Sequence, residues 1–147
     1  MDSLNKPIEV LLIEDSSDDI FLMKEVLQDA KMHINLHVAE NGEKGLDFVY
    51  KKNEFKNAPS PDLILLDLNL PKIDGREVLE KLKSDKKYKT IPVVVLTTSQ
   101  SDEDINKAYL NNANSYITKP VDLNQFMKVV KTIEDFWLTI VKLPDKP

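Results

Sequence analysis

The sequence of 147 residues contains no cysteine, which excludes disulfide bonds and thiolate metal sites. Two histidines, His33 and His37, are too few for a typical zinc site. No run approaches the roughly 20 apolar residues of a membrane span, and the first residues lack the layout of a signal peptide. A formal net charge of -5 without a basic stripe argues against nucleic-acid binding. We therefore expect a cytoplasmic protein that binds neither membranes nor nucleic acids.

Strand and helix patterns alternate along the whole chain. Apolar runs of strand length predict β1 to β5 at Ile8–Ile13, Leu36–Ala39, Leu63–Asp67, Pro92–Leu96 and Ser115–Ile117. Apolar residues at helical spacing predict α1 (20–30, capped by Ser17 or Asp18), α2 (41–50), α3 (75–83), α4 (from Ser101) and α5 (123–140). Such alternation is typical of an α/β fold, a doubly wound parallel sheet with helices on both faces. We expect residues 1–147 to form a single domain, with an extension of α5 and a tail over about 136–147.

Polar side chains follow four of these strands. Glu14 and Asp15 follow β1, Asp67 ends β3, Thr97 follows β4 and Lys119 follows β5. The carboxyl ends of parallel strands meet at one edge of the sheet, where ligands bind in open α/β folds. We therefore expect these five side chains to lie together, although each one alone is more often a cap or a turn residue.

Three carboxylates in one pocket repel one another, by about 4 kcal/mol for a pair about 4 Å apart at an effective dielectric constant of 20. A cation is therefore expected there, and ligands that are all oxygen atoms favour Mg²⁺. Together with Lys119, such an ion would neutralise the oxygens of a phosphoryl group in transfer, and a carboxylate oxygen would be the nucleophile.

In this order and on these elements, the residues resemble the receiver domain of response regulators in two-component signalling. The similarity runs from Val10 to about Val141 and includes Pro71, Asp74 and Gly75 after β3 and Pro120 after β5. It implies a flavodoxin-like (βα)5 fold with strand order 2-1-3-4-5. It also implies a phosphorylated signalling switch that is not an enzyme, since it catalyses only its own phosphotransfer and dephosphorylation.

The resemblance assigns a role to single residues. Asp67 corresponds to the phospho-acceptor, Lys119 to the lysine that pairs with the phosphoryl group, Thr97 to the switch hydroxyl and Tyr116 to the aromatic that turns inward on activation. The Mg²⁺ ligands it implies are Asp15, Asp67, the backbone carbonyl of Asn69 and, through a water molecule, Glu14. The bond between Lys119 and Pro120 is typically cis in this family.

Two positions depart from the usual family pattern. Glu14 stands where aspartate is more common, a variation that should not abolish metal binding. Thr98 is bulkier than the residue that usually follows the switch position. With Asn69 and Ser99, Thr98 is expected to influence the rate of dephosphorylation.

A finer resemblance is to the single-domain response regulators of cyanobacterial-type phytochrome histidine kinases. It rests on the segments 65–72, 75–79 and 91–99 and on a tail with Phe136, Trp137, Leu143 and Pro144. It implies a sensor histidine kinase of the phytochrome type as partner, and a homodimer through the face formed by α4, β5 and α5. Because 147 residues leave no room for an effector domain, we expect output through an unidentified downstream protein, a phosphorelay step or a change of oligomer.

Other functions share parts of this pattern. A phosphorelay intermediate would use the same acceptor, and a phosphorylation-independent interaction module would not need it. A flavin-binding protein would need a phosphate loop after β1, where this chain has the acidic turn 14–19. A Mg²⁺-dependent phosphatase with an aspartate nucleophile would carry a second acid two residues after Asp67, but that position is Asn69.

Overall fold

The computed structural model describes residues 7–28, 33–97, 115–119, 122 and 124–128. Its five strands are β1 Ile8–Ile13, β2 Ile34–Ala39, β3 Leu63–Asp67, β4 Val93–Thr97 and β5 Ser115–Thr118. Its helices are α1 Ser17–Gln28, α2 Gly42–Tyr50 and α3 Gly75–Ser84, with a short 3-10 helix at Asn53–Phe55. Residues 124–128 are the described part of α5. The predicted α4, the rest of α5 and the tail over 136–147 lie outside the described residues.

The strands form one parallel sheet in the order β2-β1-β3-β4-β5, which confirms the expected topology. Every residue of β3 and β4 is buried, as are the last four residues of β1. These strands are continuously apolar because helices cover the sheet on both sides. The strand ends therefore provide the places in the central sheet where polar side chains can meet solvent or a ligand.

Two apolar clusters hold the layers together, one on each face of the sheet. On one face, α2 and α3 pack against β1, β3 and β4 through Leu46, Val49, Val78, Leu79 and Leu82. On the other face, Met23 and Leu27 of α1 and Phe126 of α5 pack against the alternate residues of the same strands. Phe126 is fully buried, which anchors the start of α5 next to α1 and β5.

Side-chain caps set the helix starts. Asn41, predicted as the first residue of α2, lies just before it and accepts a hydrogen bond from the N–H of Lys44 (2.8 Å). Asp122 accepts one from the N–H of Gln125 (2.8 Å). The predicted cap of α1 was wrong by one residue. The hydroxyl oxygen of Ser16, rather than Ser17 or Asp18, accepts from the N–H of Asp19 (3.3 Å).

Other element boundaries differ from the predictions by one to three residues: α1 begins at Ser17, α2 at Gly42 and β4 at Val93, and α3, β4 and β5 each end one residue later than predicted. β2 begins at Ile34, two residues earlier than predicted, because Ile34 and Asn35 continue the pairing with Ile8 and Glu9 of β1. Within the loop after α2, the 3-10 helix adds one turn of regular structure. Among the described residues, no helix has the length and apolar character needed to cross a bilayer.

Candidate functional site

The carboxyl edge of the sheet brings three acids together. Glu14 and Asp67 are buried, with 1% and 3% of their surfaces exposed, and Asp15 is exposed. One carboxylate oxygen from each of the three lies within 4.8 Å of the other two. This confirms that the acids after β1 and at the end of β3 form one cluster, open to solvent on the side of Asp15.

Lys119 supplies the positive charge for this cluster. Its Nζ lies 2.6 Å from Oε1 of Glu14, 3.0 Å from Oδ2 of Asp19 and 3.4 Å from Oδ2 of Asp67. The side chain is only 9% exposed. Burial alone would lower the pKa of Lys119, but the neighbouring carboxylates outweigh burial and raise it. The ammonium is therefore charged over the whole physiological pH range.

Glu14 is the most perturbed acid of the site. Burial raises the pKa of its carboxyl to about 7; the Lys119 ammonium opposes this rise and the Asp67 carboxylate adds to it. Its Oε2 accepts a hydrogen bond from the N–H of Ser16 (3.2 Å). Its Oε1 forms a close contact with the Lys119 ammonium, 2.6 Å from Nζ. The single ammonium of Lys119 faces three carboxylates, so it cannot neutralise all of them.

The site has the composition that a hard divalent cation requires. Each of the three acids offers a carboxylate oxygen, the type of ligand that such ions prefer, and these oxygens lie within 4.8 Å of one another. By the resemblance, Asp15, Asp67 and the backbone carbonyl of Asn69 would hold the ion, and Glu14 would act through a water molecule. Mg²⁺ bound here would offset the repulsion between the acids and the charge on phosphoryl oxygens.

The turn after β3 fixes the backbone around Asp67. The N–H of Asn69 donates to Oδ1 of Asp67 (3.0 Å), and the N–H of Gly75 donates to the carbonyl of Leu68 (3.1 Å). A Cβ atom at Gly75 would overlap the carbonyl oxygen of Asp67 and lie 2.7 Å from Cα of Leu68. Glycine is therefore required at position 75 for α3 to start this close to the end of β3.

Thr97 and Tyr116 lie on the same face of neighbouring strands. Tyr116 pairs with Val95 and Thr118 with Thr97 in the parallel register of β4 and β5. Alternate residues of a strand share a face, so Thr97 and Tyr116 point to the same side of the sheet. Thr97 is buried, and Tyr116 is half-buried against the cluster formed with α2 and α3. The N–H of Lys119 donates to the carbonyl of Thr97 (2.8 Å), which links the ends of the two strands.

The comparison with protein families decides the class. Residues 10–131 match the family described as "Response regulator receiver domain". The chain belongs to the response regulator receiver family. This receiver domain is 45% identical over 143 residues to "Response regulator Rcp1" of Synechocystis sp., with 97% of each chain covered. The family match and this relative confirm the prediction that the chain is a response regulator receiver domain.

Solved structures confirm the fold of the receiver domain. The Mn²⁺-bound form of response regulator Rcp1 aligns with a TM-score of 0.77 and 45% identity, covering 95% of this chain and all of that one. The phosphorylated cyanobacterial phytochrome response regulator RcpA aligns with a TM-score of 0.79 and 44% identity, again covering 95% of this chain and all of that one. The predicted flavodoxin-like sheet order is thus the one that this family uses.

The structure of the receiver domain brings Glu14, Asp15, Asp67 and Lys119 together, with the N–H of Asn69 bound to Asp67, and adds one further acid, Asp19. Thr97 lies at the end of the strand next to β3, and Tyr116 packs against the cluster formed with α2 and α3.

Asp19 is not one of the three clustered acids, yet its carboxylate contacts Lys119. The sequence marked it only as an acid in the first turn of α1, a position that the helix dipole explains by itself. The predicted positions Thr98, Ser99 and Pro120 lie outside the described residues.

Proposed function

We propose that this receiver domain is a phosphorylation-dependent response regulator that accepts a phosphoryl group on Asp67 from a sensor histidine kinase of the phytochrome type. The observation that carries the proposal is the buried Asp67 carboxylate, which lies with Glu14 and Asp15 in one cluster and beside the Lys119 ammonium. The kinase type is inferred from the printed names of relatives, among them the phosphorylated cyanobacterial phytochrome response regulator RcpA.

In this mechanism, a carboxylate oxygen of Asp67 attacks the phosphorus of a phosphohistidine. The P–O bond to Asp67 forms as the P–N bond to the histidine breaks, and the electron pair leaves with the imidazole. Lys119 neutralises a phosphoryl oxygen, and Glu14, Asp15 and Asp67 would hold Mg²⁺, which would supply further positive charge to offset that of the transferring group. The N–H of Asn69 keeps the acceptor carboxylate oriented, because it binds Oδ1 in the resting state.

The output follows from the neighbours of the acceptor. The phosphoryl group offers an acceptor to the Thr97 hydroxyl, and Tyr116, on the same face of the next strand, moves into the space that Thr97 leaves. This shift favours a second arrangement of the α4-β5-α5 face. We propose that this face forms the homodimer and binds an unidentified downstream protein in the cytoplasm, with no part played by nucleic acid or membrane.

Incubation with acetyl phosphate tests the acceptor function directly. We expect the intact mass to increase by one phosphoryl group in the presence of Mg²⁺, and borohydride reduction followed by peptide mapping to locate it at Asp67. A parallel sample with EDTA should gain nothing, because repulsion between the acids and the incoming phosphoryl oxygens is then not offset. Modification at another residue, or gain that is independent of the metal, would contradict the proposal.

A second experiment tests the type of kinase and uses phosphorylated histidine kinases as phosphoryl donors. A phytochrome histidine kinase should transfer its phosphoryl group to this receiver domain faster than a histidine kinase of another sensor class. Equal rates from both would argue against the phytochrome partner but leave the acceptor role in place, since acetyl phosphate tests that role separately.

Two apolar side chains beside the site predict where the kinase docks. Phe21 and Leu22 of α1 are 60% and 47% exposed, and Leu22 lines a small cavity with Asp19 and Lys119. Exposed large apolar residues next to a reacting group are typical of a docking surface. We expect Phe21→Ala to slow transfer from the kinase by about tenfold, the effect of about 1.4 kcal/mol of lost contact.

The small-molecule donor separates docking from chemistry. Phosphorylation of Phe21→Ala by acetyl phosphate should stay within about twofold of the wild-type rate, because no transferring atom touches this side chain. Gln28→Ala, at another exposed position of α1, is the matched control and should leave both rates unchanged. An equal loss with both donors would indicate damage to the site and contradict the docking role.

A further inference from the structure

Lys119 contacts three carboxylates, and only one of them lies outside the acidic cluster. Glu14 and Asp67 belong to that cluster, at 2.6 Å and 3.4 Å from Nζ. Asp19 does not belong to it, and its Oδ2 accepts a hydrogen bond from Nζ at 3.0 Å. A metal ion bound by the cluster competes with the ammonium for the oxygens of Glu14 and Asp67. No such competition exists for the oxygens of Asp19.

Hydrogen bonds within the turn after β1 fix the position of Asp19. The N–H of Ser16 donates to Glu14 (3.2 Å), and the hydroxyl oxygen of Ser16 accepts from the N–H of Asp19 (3.3 Å). The carbonyl of Ser16 accepts from the N–H of Ile20 (2.9 Å), which starts the helical hydrogen bonds of α1. Asp19 is thereby attached to the same turn that carries the acids, and its carboxylate connects α1 to the end of β5.

Lysine needs such a contact more than most side chains. Its ammonium is a point charge on a flexible stem of four carbons, so its position must be set by its acceptors. During phosphoryl transfer, Asp67 becomes an acyl phosphate, and a metal ion held by the cluster would draw on the same oxygens of Glu14 that contact Lys119. Asp19 lies outside the acidic cluster, so its hydrogen bond to Lys119 can stay in place through both changes.

We propose that Asp19 is a positioning residue that holds the Lys119 ammonium beside Asp67 while the phosphoryl group is transferred. This inference rests on the proposed acceptor function of Asp67. With acetyl phosphate as donor, an Asp67 oxygen forms the new P–O bond, the P–O bond to the acetyl group breaks, and acetate leaves with the electron pair. Lys119 meets the phosphoryl oxygens only if it is oriented before the donor arrives.

Three variants separate a hydrogen bond from a general effect of charge. Asp19→Ala removes the acceptor oxygen and should lower the rate of phosphorylation by acetyl phosphate about tenfold, because small displacements of a reacting group cost this much or more. Asp19→Asn keeps a carbonyl oxygen as acceptor and should remain within about threefold of the wild type. Asp18→Ala, an exposed acid in the same turn of α1, is the matched control and should leave the rate unchanged.

A second measurement needs neither metal nor donor. Hydrogen bonds slow the exchange of ammonium protons with water, so the ¹H–¹⁵N signal of Lys119 should be visible in metal-free protein and absent in Lys119→Met, which assigns it. We expect this signal in the wild type, Asp19→Asn and Asp18→Ala, and its loss in Asp19→Ala. Thermal unfolding of each variant checks that the fold is intact.

The outcomes are distinct. If Asp19→Ala behaves like Asp18→Ala in both measurements, Asp19 does not position Lys119. If Asp19→Asn is as slow as Asp19→Ala, charge rather than the hydrogen bond matters, and the positioning role is wrong. If the wild type gains no phosphoryl group at all, the proposed function fails, and the ammonium signal alone decides the role of Asp19.

Discussion

Asp67→Asn is expected to abolish the gain of a phosphoryl group from acetyl phosphate while the fold stays intact. An amide is a poor nucleophile compared with a carboxylate, so no stable bond to phosphorus forms. The side-chain oxygen of asparagine can still accept the hydrogen bond that the N–H of Asn69 donates to Asp67 (3.0 Å). Intact mass after incubation with Mg²⁺ and acetyl phosphate measures the loss, and circular dichroism checks the fold.

The same variant should bind Mg²⁺ at least about tenfold more weakly, since even the loss of an outer-shell partner commonly costs about 10–100-fold in metal affinity. Isothermal titration calorimetry measures this change. Asp18→Asn is the matched control, because it removes an exposed acid of α1 without touching the cluster, and it should behave as the wild type in both experiments. If Asp67→Asn still gains one phosphoryl group, the acceptor is a different residue.

The sequence predicted the edge of the sheet where the site lies because buried parallel strands leave a strong signal. The run that ends at Asp67 is fully buried, and so is the run that ends at Thr97. Because such a strand is buried on both faces, the polar residue that ends the run is expected to lie at the strand terminus. Since all the strands are parallel, the termini that carry Glu14, Asp67 and Thr97 meet at one edge.

The strand order and the roles of single residues needed more than the pattern of apolar residues. Periodicity predicts that strands alternate with helices, but several sheet orders satisfy it. The order 2-1-3-4-5 came from the resemblance to receiver domains, carried by Asp67, Thr97 and Lys119 in their places. The switch roles expected for Thr97 and Tyr116 also came from this resemblance, because nothing local to Tyr116 distinguishes it from an ordinary strand tyrosine.

Asp19 shows what sequence reasoning missed and why. Its contact with Lys119 joins residues that are 100 positions apart, through a lysine side chain that can point in many directions. A first-turn acid is so common in helices that the residue type carries little information. The cap of α1 was missed for a related reason: Ser16, Ser17 and Asp18 are all good capping residues in a row, and only the backbone path selects Ser16.

The metal-free protein is expected to lose stability as the pH rises through the pKa of Glu14. The pKa of this carboxyl is raised from 4.5 to about 7 in the folded protein, chiefly by burial. The folded state therefore binds a proton that the unfolded state releases. The resulting stabilisation is fully present below pH 4.5 and is lost as the pH rises through about 7, with a total of about 3 kcal/mol.

Glu14→Gln isolates this contribution, because glutamine has nearly the same shape and does not titrate. In EDTA, the free energy of unfolding of the wild type minus that of Glu14→Gln should fall between pH 4.5 and pH 8, measured by urea unfolding at each pH. Glu43→Gln, an exposed acid on α2, is the control and should show no comparable trend. A difference that rises with pH would mean that Glu14 is stabilised as the anion. Addition of Mg²⁺ at pH 8 should restore stability to the wild type, by about 2.7 kcal/mol at a concentration of about 100 times Kd, because the ion binds only the folded cluster.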